Sequence, residues 1–499
     1  MPKDNYENLK EKGKEISTLS SIATLLEWDQ ETKMPEGGAP FRAEQIETLS
    51  SIVHAAKTSD SFKKALEKLI DLKTGEILDD TLDDRKKGAL RAFRRTFNQE
   101  TKLPNHFVKK MAKANSEGIH SWQKARKESR FELFLPHLET IINFHREKAD
   151  LLRFKDHPYD ALIDLYEPEM NVKKLDLLFS ELKPFLSKLT QKCKEKKEKK
   201  HSFLSASYPI EDQMKFCHFI LEKMGVDPKR TRLDTSAHPF CLGFHPTDVR
   251  FTTHTSLTSF YTNISAIMHE GGHTLYELGL PAEDYGTPLA EACSMGIHES
   301  QSRWWECFIG QSASFCSFIF PYLKQAFPSQ LRNVSEEDFY QAINHVSPSF
   351  IRILSDEVSY ILHIILRYEI EKEFIAGTLK GKDLPKVWNE KMEETLGIIP
   401  ETDAMGCLQD VHWSCGLIGY FPTYALGNLY AGALFETFQQ TYPDWEKTIA
   451  RGDLSQSLTF LREKIHHFGR EHSPQTLIEN ATGKPLTSAP YISYLKTKY

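Results

Sequence analysis

Residues 264–278 read ISAIMHEGGHTLYEL. Ile264, Ile267, Met268, Leu275 and Leu278 recur at helical spacing and predict a buried helix. Set into it are His269, Glu270 and His273, an HExxH pattern. On a helix, positions i and i+4 share one face about one turn apart, so two imidazoles there can bind one Zn²⁺. Glu270 projects beside them, where it can take a proton from an attacking water and later pass it to a leaving amine. Two histidines and a glutamate in an apolar run need partners, and a metal supplies them. Gly271 and Gly272 each cost about 1 kcal/mol of helix propensity. That cost predicts a close approach at this face, by substrate or by another helix.

A catalytic zinc keeps three protein ligands and one open position. Glu277 lies one turn beyond His273, too close on the same helix to complete a tetrahedron easily. Glu283 and Asp284 fall in a loop. Leu289, Ala292, Gly296, Ile297, Ser300 and Trp304 predict a second helix from Pro288 to about Phe308. Its antiparallel return would carry Glu291 or Glu299 to the metal, and spacing favours Glu299, in HESQSR (298–303), without excluding Glu291. His298 is a further candidate, pointing about 100° away from Glu299.

Outward from this segment, helical periodicity dominates. Leu9, Ile16, Leu19, Ile22 and Leu26 follow it, then Ile46, Leu49 and Ile52, then Ile351, Leu354, Val358, Ile361 and Ile365. The stretch from Phe240 to Thr253 alternates instead and predicts a small β-hairpin. Gly- and Pro-bearing stretches mark loops at 34–40, 279–288 and 406–427. No long linker divides the chain, which reads as one large, mostly α-helical domain over 1–499. The run KCKEKKEKK (192–200) reads as a solvated helix end.

Lys and Arg number 63 against 69 Asp and Glu, a net charge of −6 that argues against nucleic acid as the main partner. The opening MPKDNYENLKEKGKEIS is too charged for a secretory signal, and no apolar run approaches the ~20 residues of a membrane span. A cytoplasmic protein is therefore expected. The eight cysteines form no CxxC pair and read as free thiols, Cys193 exposed, and Cys293, Cys307 and Cys316 in the core.

Six motifs stand in order along the chain: HPF (238–240), DVRFT (248–252), HEGGH (269–273), HESQ (298–301), IRILSDE (351–357) and GCLQDVHW (406–413). With the opening LEWDQETKMPEGGAPFRAEQ (26–45), this set resembles the carboxypeptidase Taq family of metallocarboxypeptidases over nearly the whole chain. One departure is Ser355, where that family usually has alanine. The resemblance implies a helical fold with a deep groove, akin to the helical oligopeptidases, and a homodimer. It implies removal of C-terminal residues from peptides with broad specificity, with zinc as the default metal and cobalt able to serve. It makes Glu299 the third ligand, and Glu291 drops out.

The remaining motifs offer groups for the rest of such a site. A peptidase must stabilise a developing oxyanion, for which His412 and Tyr420 or Tyr424 are candidates. Trp413 and Phe421 read as core aromatics. A free carboxylate suits an arginine fork. Arg352 is the first candidate, with an i, i+4 pair to Asp356 as its competing role, and Arg250 the second, beside Asp248. His238 is placed with them at the substrate; with His245 it reads as a loop histidine rather than a second metal site. The rivals are an oligopeptidase or dipeptidyl carboxypeptidase on the same fold, and a silent helical scaffold that keeps zinc for stability.

Overall fold

The computed structural model describes residues 4–195, 201–236 and 238–499. The C-terminal part of the charged run at 192–200 lies outside them; the helix Val172–Lys194 ends within it, and Cys193 proves buried rather than exposed. Asp4 caps the helix Asn5–Thr32 by accepting from the Tyr6 N–H at 3.1 Å. Pro35 breaks the chain, and Ala39–Lys57 returns as a second helix. Leu9 is fully buried, but the apolar stripe then runs out into solvent: Ile22 is 45% and Ile52 48% exposed. The main core draws on residues from Trp122 to Leu495, and a smaller cluster gathers Tyr6, Leu9, Phe62, Phe93 and Leu289.

The alternation around Phe240 does form a hairpin, Cys241–His245 (β2) against Asp248–Thr253 (β3). A further strand, Thr231–Thr235 (β1), adds to it in parallel, giving the order β1-β3-β2. Gly243 and Cys241 turn toward the helix Phe260–Gly279: a Cβ at Gly243 would lie 2.2 Å from Glu277 Oε2, and Cys241 Sγ is 3.5 Å from Thr274 Oγ1. Arg250 pairs with Leu242 and so points from the opposite face.

Phe260–Gly279 carries the HExxH residues. The helix after it begins later than its apolar spacing suggests. Pro288–Ala290 is a single 3₁₀ turn, Glu291 is extended, and the α-helix runs over Met295–Arg303. The start is decided by hydrogen bonds. Ser294 Oγ accepts from the Ile297 N–H at 3.0 Å, and the buried Glu167 accepts from the Gly296 N–H at 3.0 Å. The helix then widens into a π turn, Trp304–Ile309. The helix predicted at Ile351 also begins later. Asp356 caps Glu357–Ala376, while Ile351 and Leu354 precede it, Ile351 leading into the 3₁₀ turn Arg352–Leu354 and Leu354 ending it, 65% exposed.

Residues 406–421 form successive turns before the helix Pro422–Thr441. Buried Glu371 holds them. It accepts from Trp413 Nε1 at 2.7 Å, from the Gly419 N–H at 2.9 Å and from Tyr159 Oη. Trp413 and Phe421 are buried, as their apolar setting predicts. An amide at 371 keeps one carbonyl but turns an NH₂ toward one of these donors. Glu371→Gln should therefore lower stability by about 1–3 kcal/mol, read as a drop in the urea midpoint. An unchanged midpoint would show that packing alone holds the segment.

Candidate metal centre

The two helices meet through glycine. A Cβ at Gly272 would lie 2.5 Å from the carbonyl oxygen of Gln301, so the close approach predicted at HEGGH is by the helix Met295–Arg303. On the other side, a Cβ at Gly427 would lie 2.5 Å from Glu299 Cγ. Pressed between them, Glu299 brings Oε2 to 3.8 Å from His269 Nε2 and 3.6 Å from His273 Nε2. One donor atom from each of His269, His273 and Glu299 lies within 4.8 Å of the others. Glu299 Oε1 is buried with no hydrogen-bond partner, as is Glu270 Oε2. Buried carboxylate oxygens are rarely left so; two imidazoles and a carboxylate converging beside them fit a divalent cation.

Each ring has a support behind it. His269 Nδ1 lies 2.8 Å from Glu306 Oε2, and Glu306 also accepts from Arg303 at 2.8 Å and Ser265 at 2.7 Å. Burial would raise the Glu306 carboxyl, but Arg303 and His269 hold it down to about 2. His269 is pushed up to about 9: burial opposes this, and the charges of Glu299 and Glu306 outweigh it. An ion must displace that proton to bind there. Glu270 is raised to about 7 by burial. A cation beside it would favour the ionised form.

Glu291 is outside this cluster. It lies on the surface, paired with Arg470 at 2.7 Å. His298 does not join the three donor atoms either; its Nδ1 sits 2.6 Å from His273 Nδ1. Glu277 contacts His298, not the donor set.

Tyr424 Oη is 3.0 Å from His412 Nε2. Burial, then the charge of Arg352, lowers His412 to about 3, so it is a neutral imidazole. Burial also raises the phenols of Tyr420 and Tyr424, and Glu299 adds to both, so both hydroxyls stay protonated and able to donate. Arg352 does not pair with Asp356. Its Nε and one NH₂ both reach Asp410 Oδ1, at 3.0 and 2.9 Å, and the other NH₂ reaches Tyr360 Oη at 3.1 Å. Asp356 is occupied as a helix cap. Arg367 binds the second oxygen of Asp410 at 2.6 Å. Two guanidinium groups thus share one carboxylate, leaving one positive charge in a buried aromatic setting of Tyr360, Phe421 and Tyr424. Arg250 is held by Asp248 at 2.8 Å and lies over Phe244. His238 is exposed, and its carbonyl accepts from Ser236 Oγ. His245 bonds Thr247 and packs against Tyr285.

Sequence reading passed over Glu306, Asp410 and Arg367. Glu306 had a signal, an acid inside the buried run WWECFI. Asp410 lies within a motif already singled out, between Gln409 and His412.

An HExxH helix with a glutamate from the following helix defines a metallopeptidase. A family model described as carboxypeptidase Taq (M32) metallopeptidase matches residues 8–499, and the chain belongs to that family. It is accordingly a metallocarboxypeptidase. Thermostable carboxypeptidase 1 of Thermus thermophilus is 39% identical, covering 100% of this chain and 99% of that protein. Carboxypeptidase 1 of Bacillus subtilis is 38% identical, covering 97% of this chain and 96% of the relative. The structure of Trypanosoma cruzi metallocarboxypeptidase 1 superposes with a TM-score of 0.92 at 33% identity, over 99% of each chain.

The geometry separates the two glutamates proposed from spacing. Glu299→Ala should release metal to a chelator under conditions where wild type retains it, because two neutral histidines hold Zn²⁺ poorly. Glu291→Ala should leave metal content unchanged. Elemental analysis after dialysis checks both, and the reverse result would overturn the assignment.

Proposed function

We propose that His269, His273 and Glu299 hold zinc, with cobalt able to replace it, and that the chain releases single C-terminal residues from peptides with broad specificity. The observation that carries this is the convergence of those three donors beside Glu270, whose Oε2 is buried and unpartnered. The bound ion would polarise the scissile carbonyl and acidify water. Glu270 accepts the proton of the attacking water and delivers it to the leaving amine. His412 and Tyr420 or Tyr424 donate toward the developing oxyanion. Glu371 steadies them from behind by holding Trp413 and Gly419.

Arg352 anchors the terminal carboxylate. Its Nε edge is already taken by Asp410, so the substrate meets the outer N–H groups and the surplus positive charge shared with Arg367. Arg250 and His238 contribute further along the peptide. Arg250 points from the sheet face away from the HExxH helix, which suits a role at the margin of the site. A homodimer and a cytoplasmic setting complete the reading. The helices Asn5–Thr32 and Ala39–Lys57 leave Ile22, Leu25, Phe41 and Ile52 exposed, a surface that a second copy would cover. Among the described residues no helix is long and apolar enough to cross a membrane. Residues 1–499 are read as one domain, supported by a main core that draws on side chains from Trp122 to Leu495.

Glu270→Gln should retain metal and lose on the order of 10³-fold or more in kcat. Equal turnover would sink the mechanism, and loss of metal would make Glu270 a structural residue.

Arg352→Ala should impair peptides with a free C-terminal carboxylate by roughly 30-fold or more in kcat/KM, since losing one side of a buried charge pair costs about 2–5 kcal/mol. Amidated peptides, cleaved poorly by wild type, should lose little more. Arg352→Lys should rescue in part, because a point charge cannot keep two bonds to Asp410. Equal losses on the matched acid and amide would show that Arg352 only braces Asp410. If wild type treated acid and amide alike, an oligopeptidase would replace the carboxypeptidase reading.

A further inference from the structure

His273 and His298 face each other through the same ring atom. His273 Nδ1 lies 2.6 Å from His298 Nδ1. Two nitrogens at that distance share one proton, with one ring donating and the other accepting. On its far side, His298 Nε2 lies 2.8 Å from Glu277 Oε1. The ring of Tyr276 packs edge-on at 5.1 Å from His298, and Gly243 leaves room for the Glu277 carboxylate, so the arrangement is sterically confined.

The protons follow from the carboxylate. An ionised carboxylate only accepts, so His298 Nε2 must carry a hydrogen. A neutral His298 with its proton on Nε2 has a bare Nδ1. That nitrogen accepts, so His273 must donate from Nδ1. Its Nε2, the atom facing Glu299, is then left with a free lone pair. The opposite tautomer of His298 would reverse each step and cap His273 Nε2 with a hydrogen. His269 reaches the same end in one step, through Glu306.

We propose that His298 and Glu277 are a positioning relay that fixes His273 in the tautomer able to bind a metal. The proposal rests on the reading of His269, His273 and Glu299 as ligands. It gives the histidine of HESQ a role distinct from ligation. It also explains a glutamate one turn beyond HExxH that is too close to be a ligand itself.

The test is the affinity of the intact protein for Co²⁺, measured by competition with a chromophoric chelator and by the visible spectrum of the bound ion. Glu277→Met removes the acceptor at similar length, and His298→Phe removes the relay while keeping a ring. Each should weaken Co²⁺ binding by on the order of 10- to 100-fold, the usual effect of losing the partner behind a metal-binding histidine. The double variant should be no weaker than His298→Phe alone. His298→Asn places a carbonyl oxygen near the position of the lost Nδ1, so it accepts from His273 without help from Glu277. It should bind Co²⁺ within about threefold of wild type, and adding Glu277→Met should change nothing further. A brace without a relay would give additive losses and no rescue by asparagine, and that result overturns the proposal. So does wild-type affinity in Glu277→Met. Should His298→Phe fold poorly, the His298→Asn pair decides the matter alone. A wild-type protein that bound no Co²⁺ or Zn²⁺ would instead overturn the ligand reading itself.

Discussion

The close approach of three helices at Glu299 is the constraint on which the site depends. Met295–Arg303 lies against Phe260–Gly279 at Gly272 and against Pro422–Thr441 at Gly427. A methyl group at either glycine would meet the neighbouring chain at 2.5 Å, well inside ordinary contact. The backbones therefore come near enough for one short carboxylate side chain to reach two imidazoles. Ser294 and Glu167 set where that helix begins, and hence which of its residues faces the histidines. The helix propensity lost at Gly272 is thus offset by geometry that no larger residue permits.

Around this point the charged group behind His269 is fully paired, while two carboxylate oxygens beside the histidines are not. Glu306 is tied to His269, Arg303 and Ser265, whereas Glu299 Oε1 and Glu270 Oε2 have no partner. The second charged group follows a related rule with the opposite sign. Asp410 receives both Arg352 and Arg367, so one positive charge is left over among buried aromatic rings. Tyr360 lies between the two groups, its ring 5.0 Å from the Arg303 guanidinium and 5.9 Å from that of Arg352. The two groups are therefore packed against a common ring.

Local spacing reads apolar faces well and helix starts poorly. Leu289 and Ala292 have the right period to continue the helix of Ile297, yet they precede it, because Ser294 and Glu167 satisfy the first N–H groups later in the chain. Ile351 and Leu354 extend the pattern of Val358 in the same way, and the Asp356 cap overrules it. The i, i+4 partner assigned to Arg352 fails for the same reason: the two residues do not share a helix. Asp410, more than fifty residues away, takes the guanidinium instead. β1 carries too little apolar alternation in TRLDT to announce itself, and it is defined by its pairing with β3.

By itself the sequence determined that a buried helix carries His269, Glu270 and His273 on neighbouring positions, because the 3.6-residue turn places them together whatever surrounds the helix. It also determined the mostly helical class, through apolar periods repeated along the chain, and the family, through six motifs in order. Spacing left Glu291 and Glu299 open and the family resemblance chose Glu299; only the tertiary structure decided that Glu306 and His298 stand behind the histidines, and that Arg352 answers to Asp410. Each of these is a contact between segments far apart in the chain. Such contacts are set by helix starts, by glycines that admit a neighbour, and by the need of buried polar groups for partners, none of which has a period to be read in one dimension.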